Sequence, residues 1–546
     1  MTFQCGPSWN ACAPNPPTGE DIAYLPMQRL LSYFRTRQIR VVDALEAYIG
    51  RIERLNPLVN AFVHTQFDEA RAAAVLADER YDNGTARKLE GLPIATKDLF
   101  DWEMNVPNTF GSAMFAPESA TNPPPTYYPF LPPYTAIYVM RLLDAGAISL
   151  GKTATPEFGH KGITASPAWG DTQNPLRLGL NPGGSSGGAS AALASFMVAS
   201  AEGSDAGGSI RIPAAPTGIV GFKATAGLIP QGVPPFPVNP FLHSGPMDRT
   251  VYGVAVMADL MVQPYPPDPF SVTKPNFSGV PSSSTGYNFE AQLERGVRGL
   301  RIGITDTWDI YPVEQPIRDV INQVGCVFEQ AGAVVETGVH LGLDEAIIHT
   351  TGETLTQGDV STWWNESMGT LYAGGVVNYF AGFGIDVLAA PEKLTPEWYE
   401  LVQLGQSLPA TRIRDIESDT QAIRSAFDAA WRVNGDPNGY DLIIGPTLAA
   451  LPQQLINAGD GSTVGPSTVG GVAVDPNIGW CCTCLQNFTG EPAVSIPAGC
   501  YDGLPIGMQI VGPRLSDERV LAAARTFERL RPWYDTLYQP GWRLSG

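Results

Sequence analysis

Apolar positions along this chain follow two rhythms. One is helical: Leu45, Ile49, Ile52 and Leu55 recur every three or four residues, which turns them onto one buried face. Helical spacing begins near Met27 and returns over 136–145, after Ile304 to about Ala331, and over 517–530. The other rhythm is the short, continuous apolar run bounded by Gly, Pro or charge, which predicts a buried strand. It occurs in "GLPIATK" (91–97), "AISLGK" (147–152), "LRIGI" (300–304), "AVVET" (333–337), "YDLIIGP" (440–446) and "GLPIGMQIV" (503–511). The small-residue run "ASAALASFMVASA", 189–201, is too short to span a membrane and reads as a buried helix. Strands alternating with helices predict an α/β fold. No internal repeat divides the chain, and the irregular stretches do not cut it into blocks, so a single large domain is expected.

Composition sharpens this. The chain has 546 residues, 44% hydrophobic and 16% charged, which is globular. Its 58 Gly and 49 Pro imply many turns. Residues 1–24 read as an irregular arm and 536–546 as a tail, around a domain at 25–535. Pro-rich loops are expected at about 117–134 and 264–290, and a variable, aromatic-rich region at about 350–410. The formal net charge of −20 argues against nucleic acid or anionic lipid as a partner. The N-terminal residues lack a basic segment followed by an apolar one, so no signal peptide is expected and the expected location is cytoplasmic. Seven cysteines suit reduced thiols. Cys481, Cys482 and Cys484 in "WCCTC" lack a second ligand pair nearby and read as small buried side chains, so no metal is expected. Cys5 and Cys12 could pair.

Two motifs match known patterns in the wrong setting. "GAISLGKT", 146–153, fits the phosphate-loop spacing, but the residues between its glycines read as a strand preceded by a helix, the inverse of what phosphate binding requires. "GGSSG", 183–187, fits the nucleophile elbow of a Ser/His/Asp esterase. Of the five histidines, none stands in an obvious loop after a terminal strand. A third set stays open: Lys97 at the end of an apolar strand, Ser185 and Ser186 in "PGGSSGG", and Ser209 behind Ala206, Gly207 and Gly208. A buried lysine with a lowered pKa can serve as a base for a serine. Glycines beside a nucleophile let backbone N–H groups converge on an oxyanion.

The core "NPGGSSGGASAALASFMVASAEGSDAGGSIRIPAAPTGIVGFKAT", 181–225, resembles the signature of the amidase signature family, as do "GLPIATKD", "GKTATPEFG", "GPMDRTV" and "FTGEPAVSIPAG" followed by "GLPIGMQIVG". The resemblance spans roughly residues 25 to 530. It implies an α/β/α domain with a mixed, mostly parallel central sheet covered by helices on both faces. It also implies a catalytic triad of nucleophile Ser209, bridging Ser185 after a cis peptide bond, and base Lys97. The backbone N–H groups of Ala206, Gly207, Gly208 and Ser209 would form the oxyanion hole, with Ser186, Asp205 and Arg211 in support. Ser204, Ala154 and Ala224 depart from the usual family residues without touching the triad.

The implied reaction is cofactor-free, bacterial-type hydrolysis of a carbon–nitrogen bond through an acyl-enzyme. Tyr127, Tyr128, Phe130, Tyr134 and Trp480, with Trp363 and Trp364, are candidate substrate contacts, which would suit an apolar or aryl amide or a carbamate. The expected partner is this small molecule alone, with the protein a monomer or homodimer. The alternatives are the A-type subunit of a tRNA-dependent amidotransferase, an esterase, and a non-catalytic binding protein on the same fold.

Overall fold

The computed structural model describes residues 16–117, 129–232, 241–272, 287–432, 438–455 and 461–537. Eleven strands form one sheet: β1 (Phe62–Thr65), β2 (Pro93–Lys97), β3 (Ile148–Thr153), β6 (Ser200–Asp205), β7 (Val220–Lys223), β8 (His243–Asp248), β9 (Arg301–Ile304), β10 (Val334–Thr337), β11 (Leu442–Pro446), β14 (Ala493–Tyr501) and β15 (Leu504–Val511). The pairs β4 (Ala165–Ser166) with β5 (Gly170–Asp171), and β12 (Thr468–Val469) with β13 (Val472–Ala473), make two small hairpins. The large sheet runs β1-β3-β2-β6-β8-β7-β14-β15-β11-β9-β10.

The sheet is mixed, as expected, but not mostly parallel. Among the described residues four pairings are parallel (β2–β3, β2–β6, β9–β10, β9–β11). Six are antiparallel: β1–β3, β6–β8, β7–β8, β7–β14, β14–β15 and β11–β15. The antiparallel centre arises because β8, β14 and β15 pair through turns or long returns, without the helical crossover that parallel neighbours need. Every residue of β2, β6, β7, β8, β11 and β15 is buried. Successive side chains point to opposite faces, so both faces of the sheet are covered.

The helices fall largely where the spacing places them: Val41–Val59, Ile137–Asp144 and Asp517–Leu530. The stretch after Ile304 divides into two, Gln315–Ile321 and Gly325–Gln330. The run 189–201 is not one helix. Its helix, Gly187–Ala194, ends before Phe196, which adopts a left-handed φ of 58°, and the chain re-enters the sheet at Ser200 as β6. Small residues buried on every side carry no period that separates helix from strand. The region 350–410 is helical for most of its length: Gln357–Ser367, a π-helical turn Met368–Ala373, Gly374–Ala381 and Pro396–Ser407. Among the described residues no helix is long and apolar enough to cross a membrane.

The two misplaced motifs resolve structurally. "AISLGKT" is strand β3, and the Lys152 ammonium donates to the Asp101 carbonyl at 2.5 Å. Before "GGSSG" there is no strand, only a single bridge from Leu180 to Gln454, so an elbow is not formed.

Candidate active site

The sheet brings three distant segments together at the ends of β2 and β6. Lys97 is the last residue of β2 and fully buried. Its Nζ lies 2.7 Å from Ser185 Oγ and 3.1 Å from Ser204 Oγ. Its own N–H is held by Glu202 Oε1 at 2.7 Å. Ser185 follows a cis Gly184–Ser185 bond and stands just before the helix Gly187–Ala194. Thr164 fixes this turn, its Oγ1 donating to the Gly183 carbonyl (2.8 Å) and accepting from the Gly187 N–H (3.1 Å).

Ser209 follows β6 in the turn that opens the helix Arg211–Thr217. Its carbonyl accepts the Ser186 N–H at 3.1 Å, and Ser186 Oγ donates to the Ser204 carbonyl at 3.3 Å. Ser186 therefore ties the two serine segments together. Exposure rises in one direction through the group: Lys97 0%, Ser185 2%, Ser209 9%. Among the described residues Ser209 Oγ has no hydrogen-bond partner, and no hydrogen bond joins it to Ser185.

The Ser209 loop is held by a buried ion pair. Arg211 donates to both Asp205 oxygens at 3.0 Å and to the side chains of Asn487 (2.7 Å), Gln509 (3.1 Å) and Gln486 (3.3 Å). Burial alone would push the Asp205 carboxyl up, but Arg211 and the Asn487 amide outweigh it and hold the group well below the usual carboxylate range. Removing one member of a buried pair leaves the other charge unmatched. Arg211→Ala is expected to destabilise the protein by about 3–5 kcal/mol in urea unfolding; a loss near zero would mean that the pair does not brace the loop.

The four backbone N–H groups expected to act together are not equivalent. That of Gly208 donates to Asp205 Oδ1 at 2.7 Å and is already engaged. Those of Ala206, Gly207 and Ser209 donate to no group among the described residues. Gly208 has φ of 126°, and a Cβ there would sit 1.9 Å from Thr483 Oγ1. A Cβ on Gly207 would sit 2.4 Å from Trp364 Nε1. Side chains are thus excluded at both positions by space, and at Gly208 by backbone conformation as well. Thr483 (2.5 Å) and Cys484 (3.3 Å) donate to the Gly207 carbonyl, fixing the peptide from the far side.

Burial lowers the Lys97 pKa to about 8, with the neighbouring acids Asp101, Glu202 and Asp205 opposing the shift. A neutral amine is therefore accessible at mildly alkaline pH. Among the described residues no histidine hydrogen-bonds to Ser185, Ser186 or Ser209. His160 and His243 are buried and neutral, lowered by burial to about 3. This removes the geometric basis for a Ser/His/Asp arrangement. Burial also pushes the Cys481, Cys482 and Cys484 thiols up, as small buried side chains require.

Of the aromatic residues singled out, Tyr127 and Tyr128 lie outside the described residues. Phe130 and Tyr134 pack on Trp102 with ring centroids 5.7 and 5.2 Å away. Phe110, Phe115, Phe158 and Phe380 extend this cluster. The Trp102 N–H donates to the Leu99 carbonyl at 3.1 Å, and a Cβ on Gly159 would lie 2.8 Å from Leu99 Cδ2 and 3.3 Å from Ser185 Oγ. Trp480 stands apart from the cluster, packed on Gly162 and Gly465 with its N–H on the Pro476 carbonyl at 3.1 Å. Trp364 is buried against Gly207 with no partner for its N–H among the described residues. Ser204, expected not to touch the triad residues, accepts from Lys97 Nζ at 3.1 Å because β6 lies beside β2, and two further residues near Lys97, Glu202 and Asp101, escaped the sequence reading of the site. A carboxylate in the middle of a buried strand was the available signal for Glu202.

A sequence model of the Amidase family matches residues 43–521. An acylamidase of Rhodococcus erythropolis is 31% identical over 527 residues, 95% of this chain and 98% of that protein. The A subunit of a glutamyl-tRNA(Gln) amidotransferase from Methylococcus capsulatus is 30% identical over 534 residues, 93% of this chain and 97% of that protein. The crystal structure of a bacterial aryl acylamidase belonging to the amidase signature enzymes superposes with a TM-score of 0.82 at 31% identity, covering 95% of this chain and 100% of that one.

Proposed function

The chain belongs to the amidase signature family, and from that membership we propose that it hydrolyses an apolar or aryl acylamide through an acyl-enzyme on Ser209. The observation that carries this reading is the buried Lys97 Nζ, 2.7 Å from Ser185 Oγ, with the adjoining Ser186 N–H bound to the carbonyl of Ser209, the most exposed of the three residues. Neutral Lys97 takes the proton of Ser185, and Ser185 takes that of Ser209. Ser209 Oγ bonds to the substrate carbonyl carbon as its π electrons move to oxygen. Catalytic hydrogen bonds often tighten only when the reacting group is in place; here Ser209 Oγ turns toward Ser185. The oxyanion accepts from the N–H groups of Ala206, Gly207 and Ser209, which the loop leaves unengaged. Collapse breaks the carbon–nitrogen bond, and the leaving amine receives the proton back through the same relay. Water then attacks the ester carbon and gives its proton to the relay, the bond to Ser209 Oγ breaks, the acid leaves, and the relay returns the proton to Ser209.

The leaving amine or acyl group would meet the aromatic cluster of Phe130, Tyr134 and Trp102, which supports an aryl or apolar substrate over a small polar amide. A carbamate presents the same carbonyl geometry. The amidotransferase reading is supported by the relatives of that kind, but a net charge of −20 disfavours an RNA-handling assembly. The isolated chain is expected to release the aromatic amine from an acyl anilide and to show no glutaminase activity, running as a monomer or homodimer in gel filtration. Glutamine hydrolysis without anilide hydrolysis would reverse the assignment.

A further inference from the structure

Behind Lys97 lies a pair of acids that the relay above does not use. Glu202, in the middle of β6, is fully buried, and so is Asp101, four residues after Lys97. Glu202 Oε1 accepts the Lys97 N–H at 2.7 Å, and Asp101 Oδ1 accepts the Tyr138 hydroxyl at 3.0 Å. The remaining oxygens, Glu202 Oε2 and Asp101 Oδ2, are buried and have no hydrogen-bond partner among the described residues. The two carboxyls lie close enough to act on each other as a pair. Two acceptors make a hydrogen bond only when one of them carries a proton, and two buried carboxylates side by side resist ionising together.

The charged and titratable groups around the pair are few. Lys97 faces both acids, and Asp205 also faces Lys97. Lys152 faces Glu202 and donates to the Asp101 carbonyl at 2.5 Å. The Tyr138 and Tyr372 hydroxyls are buried beside Asp101, and burial keeps both protonated.

We propose that Glu202 and Asp101 share a single proton, held on Glu202, and that the one remaining negative charge, on Asp101, sets the pH at which Lys97 becomes a competent base. The inference rests on Lys97 acting as the base. Burial and the neighbouring Asp101 both push the Glu202 carboxyl well above its usual range, in keeping with a proton at that site. A second ionised carboxylate this close would favour the charged lysine and silence it at neutral pH. With no carboxylate at all, the amine would be neutral at lower pH but a weaker base. Asp101 and Glu202 are positioning residues in this scheme: they act on substrate only through Lys97.

The test is the pH profile of kcat/KM in the full chain. Glu202→Gln replaces a protonated acid by its neutral isostere and should leave the rising limb in place. Asp101→Asn removes the charge and should move that limb to lower pH by about one unit. A limb displaced equally by both substitutions, or unmoved by Asp101→Asn, would overturn the proposal. Infrared spectroscopy provides a readout that does not require the Asp101 variant to fold. The carbonyl stretch of a buried protonated carboxyl should persist in the wild-type protein at mildly alkaline pH and vanish in Glu202→Gln; its absence from the wild type would also overturn the proposal. If another group were the base, Lys97→Met would retain the rising limb while the infrared band still reported the shared proton, so the two failures are distinguishable.

Discussion

Ser209→Ala is expected to lower kcat/KM by about 10⁴-fold or more and to abolish covalent labelling by a sulfonyl fluoride. The hydroxyl is the atom that bonds to the substrate, so its removal leaves only binding and the oxyanion donors. The substitution should be nearly silent in stability. Ser209 Oγ has no hydrogen-bond partner among the described residues, and the loop is held instead by the Asp205–Arg211 pair and by the Ser186 N–H on the Ser209 carbonyl. Loss of the hydroxyl should therefore cost less than about 1 kcal/mol. A folded Ser209→Ala protein that still turned over substrate, or still took the label in full, would remove Ser209 from the role of nucleophile.

The second large effect belongs to Lys97. Lys97→Met keeps an unbranched side chain one atom shorter and removes the amine, and kcat/KM is expected to fall by about 10³- to 10⁴-fold. In the wild-type protein the rate should rise with pH through about 8, as Lys97 loses its proton, and then level off. The variant should lose this rise. The sign of the stability effect follows from the same shift. Burial holds Lys97 at about 8 against 10.5 for an exposed lysine, so between these values the unfolded chain binds more protons. The contribution of this group to stability accordingly improves as pH rises through that window and is least favourable below it. Lys97→Met should flatten that dependence, and, because it leaves the buried Ser185 and Ser204 hydroxyls without the amine they bond, it should cost about 1–3 kcal/mol of stability. A variant that kept the kinetic limb would assign the limb to another group.

The parts of the fold that were legible in the sequence are those whose apolar pattern has a period or a clear boundary. β2, β3, β9, β11 and β15 read out as short runs, and Val41–Val59 as a helical stripe. β6, β7, β8 and β14 did not. β6 is "SAEGSD", with two carboxylates and no β-branched residue, and its partner β8 is "HSGPMD". Strands buried on both faces have no alternation, and the small residues that let chains approach closely at the site suppress strand propensity as well. The site was legible in its residue types because lysine in an apolar run and serine behind paired glycines are unusual in any setting. Its electrostatics were not. That Gly208 spends its N–H on Asp205, and that Glu202 and Asp101 stand behind Lys97, depends on where β6 lies relative to β2, and nothing local encodes that adjacency.

The strand order also bears on how the protein is made. β1 to β3 and β6 to β8 form one side of the large sheet and β9 to β11 the other. The strands that join them, β14 and β15, are the last of the sheet to leave the ribosome. Domains emerge from their N-terminal side first, and pairings between distant residues are slow to form. The edges of β7 and β11 thus stay open during synthesis, an invitation to wrong pairing that a chaperone would have to cover. The same late segment carries Thr483 and Cys484, which pin Gly207, and Gln486, Asn487 and Gln509, which surround Arg211. Ser209 is therefore synthesised early, with only the local contacts of Asp205, Arg211 and Ser186 to hold its loop, and more than half the chain's length follows before the remaining contacts can close around it.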